Sequence, residues 1–376
     1  MKVINIHLVL DEKFIDSSVD MFEKYHPGEN VFIVDKEEKD RRFVTPRKNV
    51  FFVPFQLADW YNKIKKYLDI HILNTINVVV HYLSKHSASR ALDLKRYVSV
   101  NKIYWIFYGA DLYSYLYETG KYALYDYKVK GQSCLLKNYV KRLLGRYNYI
   151  VDFCSELDYF CFWNYYDYEL LRKYLKTKAQ FKLFYYINPT STESEGFGDG
   201  INTRTNEINI LVNHSASFTG NHLTVLKKIS SLSLDNIKLI IPISYGPKTH
   251  ADLIEKEATK LFPDKCTLLK EYMPRVEYYD IIDKCQCAIM GHRRQEAGGN
   301  ISFLLKHGKK VFLREDNSLL NYYKDLGCAI FSFEKDLKTE KDLLPLTEKE
   351  QALNKKIMLD RILPSKVDKM MLNFFN

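Results

Sequence analysis

Short apolar runs alternate with amphipathic stretches along most of the chain. In the first half the runs fall at 3–10, 31–34, 50–53, 77–82, 102–108, 149–154 and 181–187, each of a length and residue type that predicts a buried strand. Between them, segments such as 59–68 and 87–97 place apolar residues at helical spacing. The rhythm stops at 188–200, a stretch rich in Ser, Thr, Gly and Glu that reads as a linker. It then resumes, with strands predicted at 208–213, 237–244, 266–270, 287–290, 310–313 and 328–332. Helices are predicted near 221–232, 249–262, 275–284, 300–307 and 317–325, and the tail from 348 to 376 is helical in pattern. Strand and helix in strict alternation predict a parallel sheet covered on both faces, here built twice. The expected fold class is therefore α/β, with two doubly wound Rossmann-like domains. Residues 1–188 form the first, 189–205 the linker and 206–349 the second, and a helix over about 350–376 returns to the first. Two such domains make a cleft at the carboxyl ends of their strands, where open α/β sheets bind ligands.

Length agrees with this division, since 376 residues suit two cores better than one. The net charge of +10 asks for an acidic partner: a phosphorylated substrate, an anionic membrane surface or nucleic acid. Much of that excess sits between Lys121 and Ile150, where Lys121, Lys128, Lys130, Lys137, Lys141, Arg142 and Arg146 face one acid, Asp126. Leu135, Leu136, Tyr139, Val140, Leu143 and Leu144 recur there at helical spacing, so an apolar stripe lies beside a basic face. Such a helix suits an anionic lipid surface, and equally suits a core helix with a solvated back. No nucleic-acid-binding module is visible and the charge is localised, so no nucleic-acid partner is expected. The seven cysteines are scattered without zinc-type pairs, and no apolar run approaches the roughly 20 residues that span a bilayer.

Candidate chemistry collects at predicted strand ends. The stretch 287–313 reads as strand, loop, helix and strand, with Arg293, Arg294, Gln295, Gly298 and Gly299 in the loop and Asn300 opening the helix. Free amides at a helix start, glycines that allow close approach and neighbouring guanidinium groups favour an anion such as a diphosphate. The loop 213–221 offers His214, Ser215, Ser217, Thr219 and Asn221, whose hydroxyl and amide groups suit phosphate oxygens or simple helix capping. Tyr245 follows the strand at 237–244 and is placed to stack on a base or sugar. In the first half, Asp111 follows the strand 102–108 as a carboxylate able to take a hydroxyl proton, or to cap the next helix. His81 ends another strand at the same rim, and Asp11, Glu12 and Glu156 have equivalent placements. Strict Asp-x-Asp is missing, so the short carboxylate pair that holds Mg²⁺ or Mn²⁺ on a nucleotide diphosphate is unavailable. No metal and no other cofactor is expected, and the diphosphate charge falls to amides and arginines.

Several of these pieces resemble glycosyltransferase family 56. They are Trp105-Ile-Phe-Tyr-Gly-Ala-Asp-Leu-Tyr113, His81, Ile210 to Ser217 with Asn221-His222, Ile241 to Tyr245, and Arg294 to Gly299 with Leu304, Leu305 and Gly308. They keep one order from about residue 80 to 325; the first 75 residues and the tail match weakly. The resemblance implies a GT-B fold with the two domains facing across a cleft, the second holding a nucleotide-sugar donor and the first an acceptor. It also implies a TDP-4-acetamido-4,6-dideoxy-D-galactose type of donor and a polyprenyl-diphosphate-linked saccharide acceptor. The setting it implies is peripheral, on the cytoplasmic face of the membrane, in surface-polysaccharide synthesis. Under it Asp111 or His81 takes the acceptor proton and Glu296 lies by the sugar. Glu296 and Asn300 depart from the family's well-known pattern, which leaves the sugar open. A nucleotide-sugar epimerase of the same architecture, or a nucleotide-sugar-binding protein without turnover, are the alternative readings. The oligomeric state is not legible.

Overall fold

The computed structural model describes residues 4–67, 75–127, 145–186 and 207–376, except 233 and 235. Two compact units result: Met1–Lys121 with Ser133–Glu195 and Pro364–Asn376, and Tyr122–Gln132 with Gly196–Leu363. The expected linker, 189–205, lies outside the described residues.

The first unit runs β1 (Ile4–Val9), α1 (Ile15–Tyr25), β2 (Asn30–Val34), β3 (Val50–Phe52), α2 (Trp60–Lys65), β4 (Ile76–His81), α3 (Lys85–Tyr97) and β5 (Val100–Ile106). It continues with α4 (Ala110–Glu118), α5 (Asn148–Glu156), β6 (Tyr159–Phe162), α6 (Tyr165–Tyr174) and β7 (Gln180–Leu183). The strands form one parallel sheet in the order β3-β2-β1-β4-β5-β6-β7. All of β4 is buried, as a central parallel strand covered on both faces requires. Its polar positions are paired within the sheet: Asn101 donates to Asn77 (3.0 Å), Asn77 to Asn5 (3.0 Å) and Asn5 to Asn30 (3.2 Å). An amide ladder of this kind avoids the penalty of about 1–3 kcal/mol for each buried polar group left unpaired.

The strand expected at 149–154 is instead helix α5. Ile150, Phe153 and Cys154 are its buried residues, a spacing of three and four that lines one helical face. The next strand is the short run Tyr159–Phe162, absent from the sequence reading, and Glu156 is the last residue of α5, ion-paired with Lys95. The helical tail also divides. Helix Glu348–Arg361 belongs to the second unit, where the Asn354 side chain bonds both main-chain groups of Ala329. After Pro364 the last helix, Pro364–Leu372, belongs to the first unit and buries Met371 and Phe374 in its core. The Lys182 ammonium donates to the carbonyls of Asn373, Phe374 and Asn376, closing that helix end.

In the second unit the order is β8 (Ile208–Val212), α7 (His222–Ser230), β9 (Ile237–Pro242), α8 (Lys248–Leu261), β10 (Cys266–Leu269) and α9 (Arg275–Asp283). There follow β11 (Cys287–Met290), α10 (Gly298–Lys306), β12 (Lys310–Leu313), α11 (Ser318–Asp325), β13 (Phe331–Ser332) and α12 (Glu348–Arg361). Its parallel sheet is ordered β10-β9-β8-β11-β12-β13. Val212, Leu239, Ile241, Ile289 and Phe312 sit at the centre of its core, each contributing roughly 1.5–3 kcal/mol by burial. Winding reverses between β8 and β11, so their following loops diverge and leave a crevice at the strand ends.

Candidate donor site

Three loops meet above that reversal. Asn213, directly after β8, has φ 59°, a conformation Asn tolerates, and its side chain joins two of them. Its Oδ1 accepts from Gly291 N (2.7 Å), and its Nδ2 donates to Gly220 O (2.9 Å). Gly291 has to be glycine, because a Cβ there would lie 2.2 Å from the Gly220 carbonyl oxygen. Gly246, at φ 120°, lets the loop after β9 touch the first: its Cβ would lie 2.5 Å from the Ala216 carbonyl.

On this frame His214, His292 and Glu296 converge. Glu296 Oε1 lies 3.9 Å from His214 Nε2 and 3.7 Å from His292 Nε2. Its other oxygen accepts from Thr219 Oγ1 (2.7 Å) and pairs with Arg294 Nη2 (3.0 Å). Thr219 in turn bonds Ser217 Oγ (2.7 Å), and the buried Ser215 hydroxyl accepts from Ser217 N (3.4 Å). Burial pushes the Glu296 carboxyl up, but the His292, Arg294, His214 and Thr219 side chains outweigh it and hold it at about 2. Burial also lowers His292 to about 3 and lowers His214, so both imidazoles are neutral near pH 7 and the permanent cation beside Glu296 is Arg294. With Oε2 occupied by Thr219 and Arg294, Glu296 orients the Arg294 guanidinium and turns Oε1 toward the two imidazoles.

The neighbouring arginine behaves differently. Arg293 spans two carboxylates, through Nε to Asp316 (2.6 Å) and Nη1 to Asp126 (3.3 Å), so its charge is already neutralised within the protein. Arg294 keeps a buried Nε with no protein acceptor among the described residues. Of the two arginines proposed to hold a diphosphate, Arg293 is thus tied to two carboxylates, whereas Arg294 pairs with Glu296 and keeps its Nε–H unpartnered among the described residues. Asn221 is likewise consumed: it is fully buried at φ 48°, and its Nδ2 donates to the carbonyls of Leu124, Thr219 and Gly291 (3.1 Å each) while its Oδ1 accepts from Asp126 N (2.9 Å). It holds the segment Tyr122–Tyr127 onto the loops and has no group left for a ligand. Asp126 also grips Arg314 with both oxygens (2.6 and 3.2 Å), and the Tyr122 hydroxyl bonds the Arg293 and Asp316 carbonyls (2.6 Å each).

Beside this frame lies a cavity of about 310 Å³ lined by His214, Tyr245, Tyr272, Arg275, Tyr278 and Asn300, among others. Tyr245 and Tyr272 present exposed rings in an edge-to-face pair, 6.0 Å apart. Asn300 donates to the Tyr278 hydroxyl (3.0 Å) and stands in the first turn of α10. That helix begins after Ala297 at φ 59°, without a side-chain cap; Gly298 opens it, and a Cβ on the exposed Gly299 would meet nothing within 4 Å. Its first amides are thus unused by any capping side chain. Gln295 is half-buried in the same loop. Sequence reading missed His292, Tyr272, Arg314 and Asp126, although His292 was legible as a strand-end residue directly after Gly291.

In the first unit, Asp111 is 3% exposed. Its Oδ2 accepts from Trp105 Nε1 (2.9 Å) and Leu83 N (3.2 Å), whereas Oδ1 has no partner among the described residues. Burial raises its carboxyl to about 6, with those donors working against the rise. His81 is not free to take a proton: Nε2 meets His7 Nδ1 (3.0 Å), Nδ1 meets the Tyr186 hydroxyl (2.6 Å), and burial drives its pKa down. It belongs to a buried structural network, which corrects its catalytic assignment. Lys128, Lys130, Lys137, Lys141 and Arg142 lie outside the described residues, and Arg146 is exposed.

Solved structures with this pair of doubly wound units are glycosyltransferases of the GT-B class. Sucrose-phosphate synthase from Thermosynechococcus elongatus is 10% identical with a TM-score of 0.61, covering 99% of this chain and 95% of that one. The OtsA apo structure is 11% identical with a TM-score of 0.63, over 98% of both chains. Anabaena HepE in complex with UDP and glucose is 13% identical with a TM-score of 0.51, over 98% and 93%. Likeness at this identity shows the fold, and the fold is GT-B. The family described as 4-alpha-L-fucosyltransferase glycosyl transferase group 56 matches residues 90–376, so the chain belongs to that family and is a glycosyltransferase.

Proposed function

We propose that this enzyme moves a sugar, a 4-amino- or acetamido-deoxyhexose, from a nucleotide diphosphate sugar to a polyprenyl-diphosphate-linked saccharide in bacterial surface-polysaccharide synthesis. The observation that carries the donor half is Asn300, which lines the tyrosine cavity from the first turn of the uncapped helix α10, the helix that follows the loop bearing Arg294 and its unpartnered Nε. A base or sugar against Tyr245 and Tyr272 leaves a diphosphate within reach of the helix amides and one guanidinium. These groups neutralise the leaving diphosphate in place of a bridging divalent ion. A structural neighbour described as trehalose-6-phosphate from E. coli has been solved bound with UDP-2-fluoro glucose, in keeping with a nucleotide-sugar donor. Asp111 takes the acceptor proton through its unpaired Oδ1, at a pKa suited to a base near neutrality.

The lipid-linked acceptor rests on the family and on the basic stretch from Lys121 to Arg146, which suits an anionic cytoplasmic membrane face. No described helix is long and apolar enough to cross a membrane, which is compatible with a peripheral association. Thermal-shift measurements with TDP, UDP, GDP and CMP compounds, with and without Mg²⁺, test the donor half. One nucleotide diphosphate raises the melting temperature in both conditions, and Arg294→Gln abolishes the rise. A shift that requires Mg²⁺, or none with any nucleotide, refutes it. Radiolabelled transfer to a polyprenyl-diphosphate saccharide, lost in Asp111→Asn with nucleotide binding intact, tests the acceptor half.

A further inference from the structure

We infer that His214, His292 and Glu296 form a binding site for a transition-metal dication, with zinc the best match. One ligand atom from each of His214, His292 and Glu296 lies within 4.8 Å of the other two. The carboxylate oxygen stands 3.9 and 3.7 Å from the two nitrogens, a few tenths of an ångström beyond the edge of about 3.3 Å that a tetrahedral zinc set requires. Small rotations of three side chains close that gap.

His292 is fully buried, and neither of its ring nitrogens has a hydrogen-bond partner among the described residues, an arrangement that costs a protein free energy unless something meets them. The second oxygen of Glu296 accepts from Thr219 and Arg294, as an outer-shell partner fixes a ligating carboxylate. Arg294 adds a positive charge that the ion has to overcome, yet leaves Oε1 as the oxygen facing both imidazoles. His214 also lines the tyrosine cavity, so the fourth position of the set borders open space where a water or substrate oxygen completes the shell. Two histidines and one carboxylate select zinc, cobalt or iron(II) over magnesium, which prefers oxygen alone.

The site rests on side-chain geometry and not on the donor reading, so the two can fail separately. Metal is stripped from the full chain with a chelator, and Co²⁺ is titrated while the visible d–d absorption and the melting temperature are followed. Expected is one Co²⁺ per chain with a four- or five-coordinate spectrum, displaced by Zn²⁺, and a raised melting temperature. His214→Ala and Glu296→Gln each weaken binding by at least tenfold, and Thr219→Val, which touches no metal, weakens it less. Circular dichroism of the metal-free variants confirms that they are folded. The inference is overturned if no stoichiometric binding occurs, if the spectrum shows thiolate ligation, or if His214→Ala and Glu296→Gln bind as the parent does. Nucleotide-induced shifts in the stripped protein report the donor site independently.

Discussion

Replacing Asp126 with Asn tests whether the segment Tyr122–Tyr127 is held by a buried charge or only by its shape. The carboxylate receives two bonds from Arg314 (2.6 and 3.2 Å) and a weaker one from Arg293 (3.3 Å), and the side chains of Asp126 and Arg314 are only 15% and 10% exposed. Breaking a buried pair costs about 3–5 kcal/mol when the remaining charge has no other partner. Here Arg314 keeps Glu334 and Arg293 keeps Asp316, so the expected loss is about 2 kcal/mol, near that of one strong charge-assisted bond. A double-mutant cycle of Asp126→Asn with Arg314→Met, followed by urea unfolding, isolates the coupling.

The pH dependence gives a second readout. Burial raises the Asp126 carboxyl, but its bonds to Arg314 and Thr224 and the charges of Arg314 and Arg293 lower it further than burial lifts it. A carboxyl that titrates lower folded than unfolded stabilises fully above the unfolded value of about 4, and loses that contribution as pH falls through the folded value. Asp126→Asn therefore flattens the acid limb of the stability profile. A coupling energy below about 0.5 kcal/mol, the range of exposed pairs, refutes the reasoning.

Asp111 has the opposite sign. Its folded pKa is raised to about 6, so the parent carries a penalty that is absent below about pH 3.8, grows up to pH 6 and stays constant above. The shift corresponds to about 3 kcal/mol, and an amide nitrogen without an acceptor returns about 2, so Asp111→Asn gains about 1 kcal/mol at pH 7 while losing transfer. Melting curves at pH 4 and pH 7 check this: the variant gains only at the higher pH, and equal shifts at both sink it. Gly291→Ala forces a Cβ to within 2.2 Å of the Gly220 carbonyl, a backbone contact that cannot rotate aside, whereas Gly299→Ala meets open space. The first loses about 2–3 kcal/mol and nucleotide binding, the second under 0.5, as read by circular dichroism melts and thermal shift.

The periodic parts of the fold were legible. Strands expected at 208–213 and 287–290 are Ile208–Val212 and Cys287–Met290, because a buried parallel strand must be apolar throughout. Residues 149–154 misled because a five- or six-residue apolar run fits either period, and only its packing distinguishes the helix. The loop after β11, with its two arginines and two glycines, was legible as a strand-to-helix loop, but the division of labour between Arg293 and Arg294 was not. It is decided by Asp126, which lies 167 positions away in sequence from Arg293. Asn221 and His81 failed for the same reason: each is spent on partners brought by distant strands or segments, and one sequence carries no record of which polar groups find each other.

The path of the chain at Tyr122–Tyr127 has a practical consequence. A fragment beginning at Gly196 and ending at Leu363 looks like a complete donor half on a sequence map, yet it omits the peptide whose carboxylate compensates Arg314 and whose backbone engages Asn221. Expressed alone, that fragment leaves Arg314 with Glu334 and without Asp126, and leaves Asn221 Oδ1 without its donor, and a synthetic peptide spanning 122–127 restores both when added back.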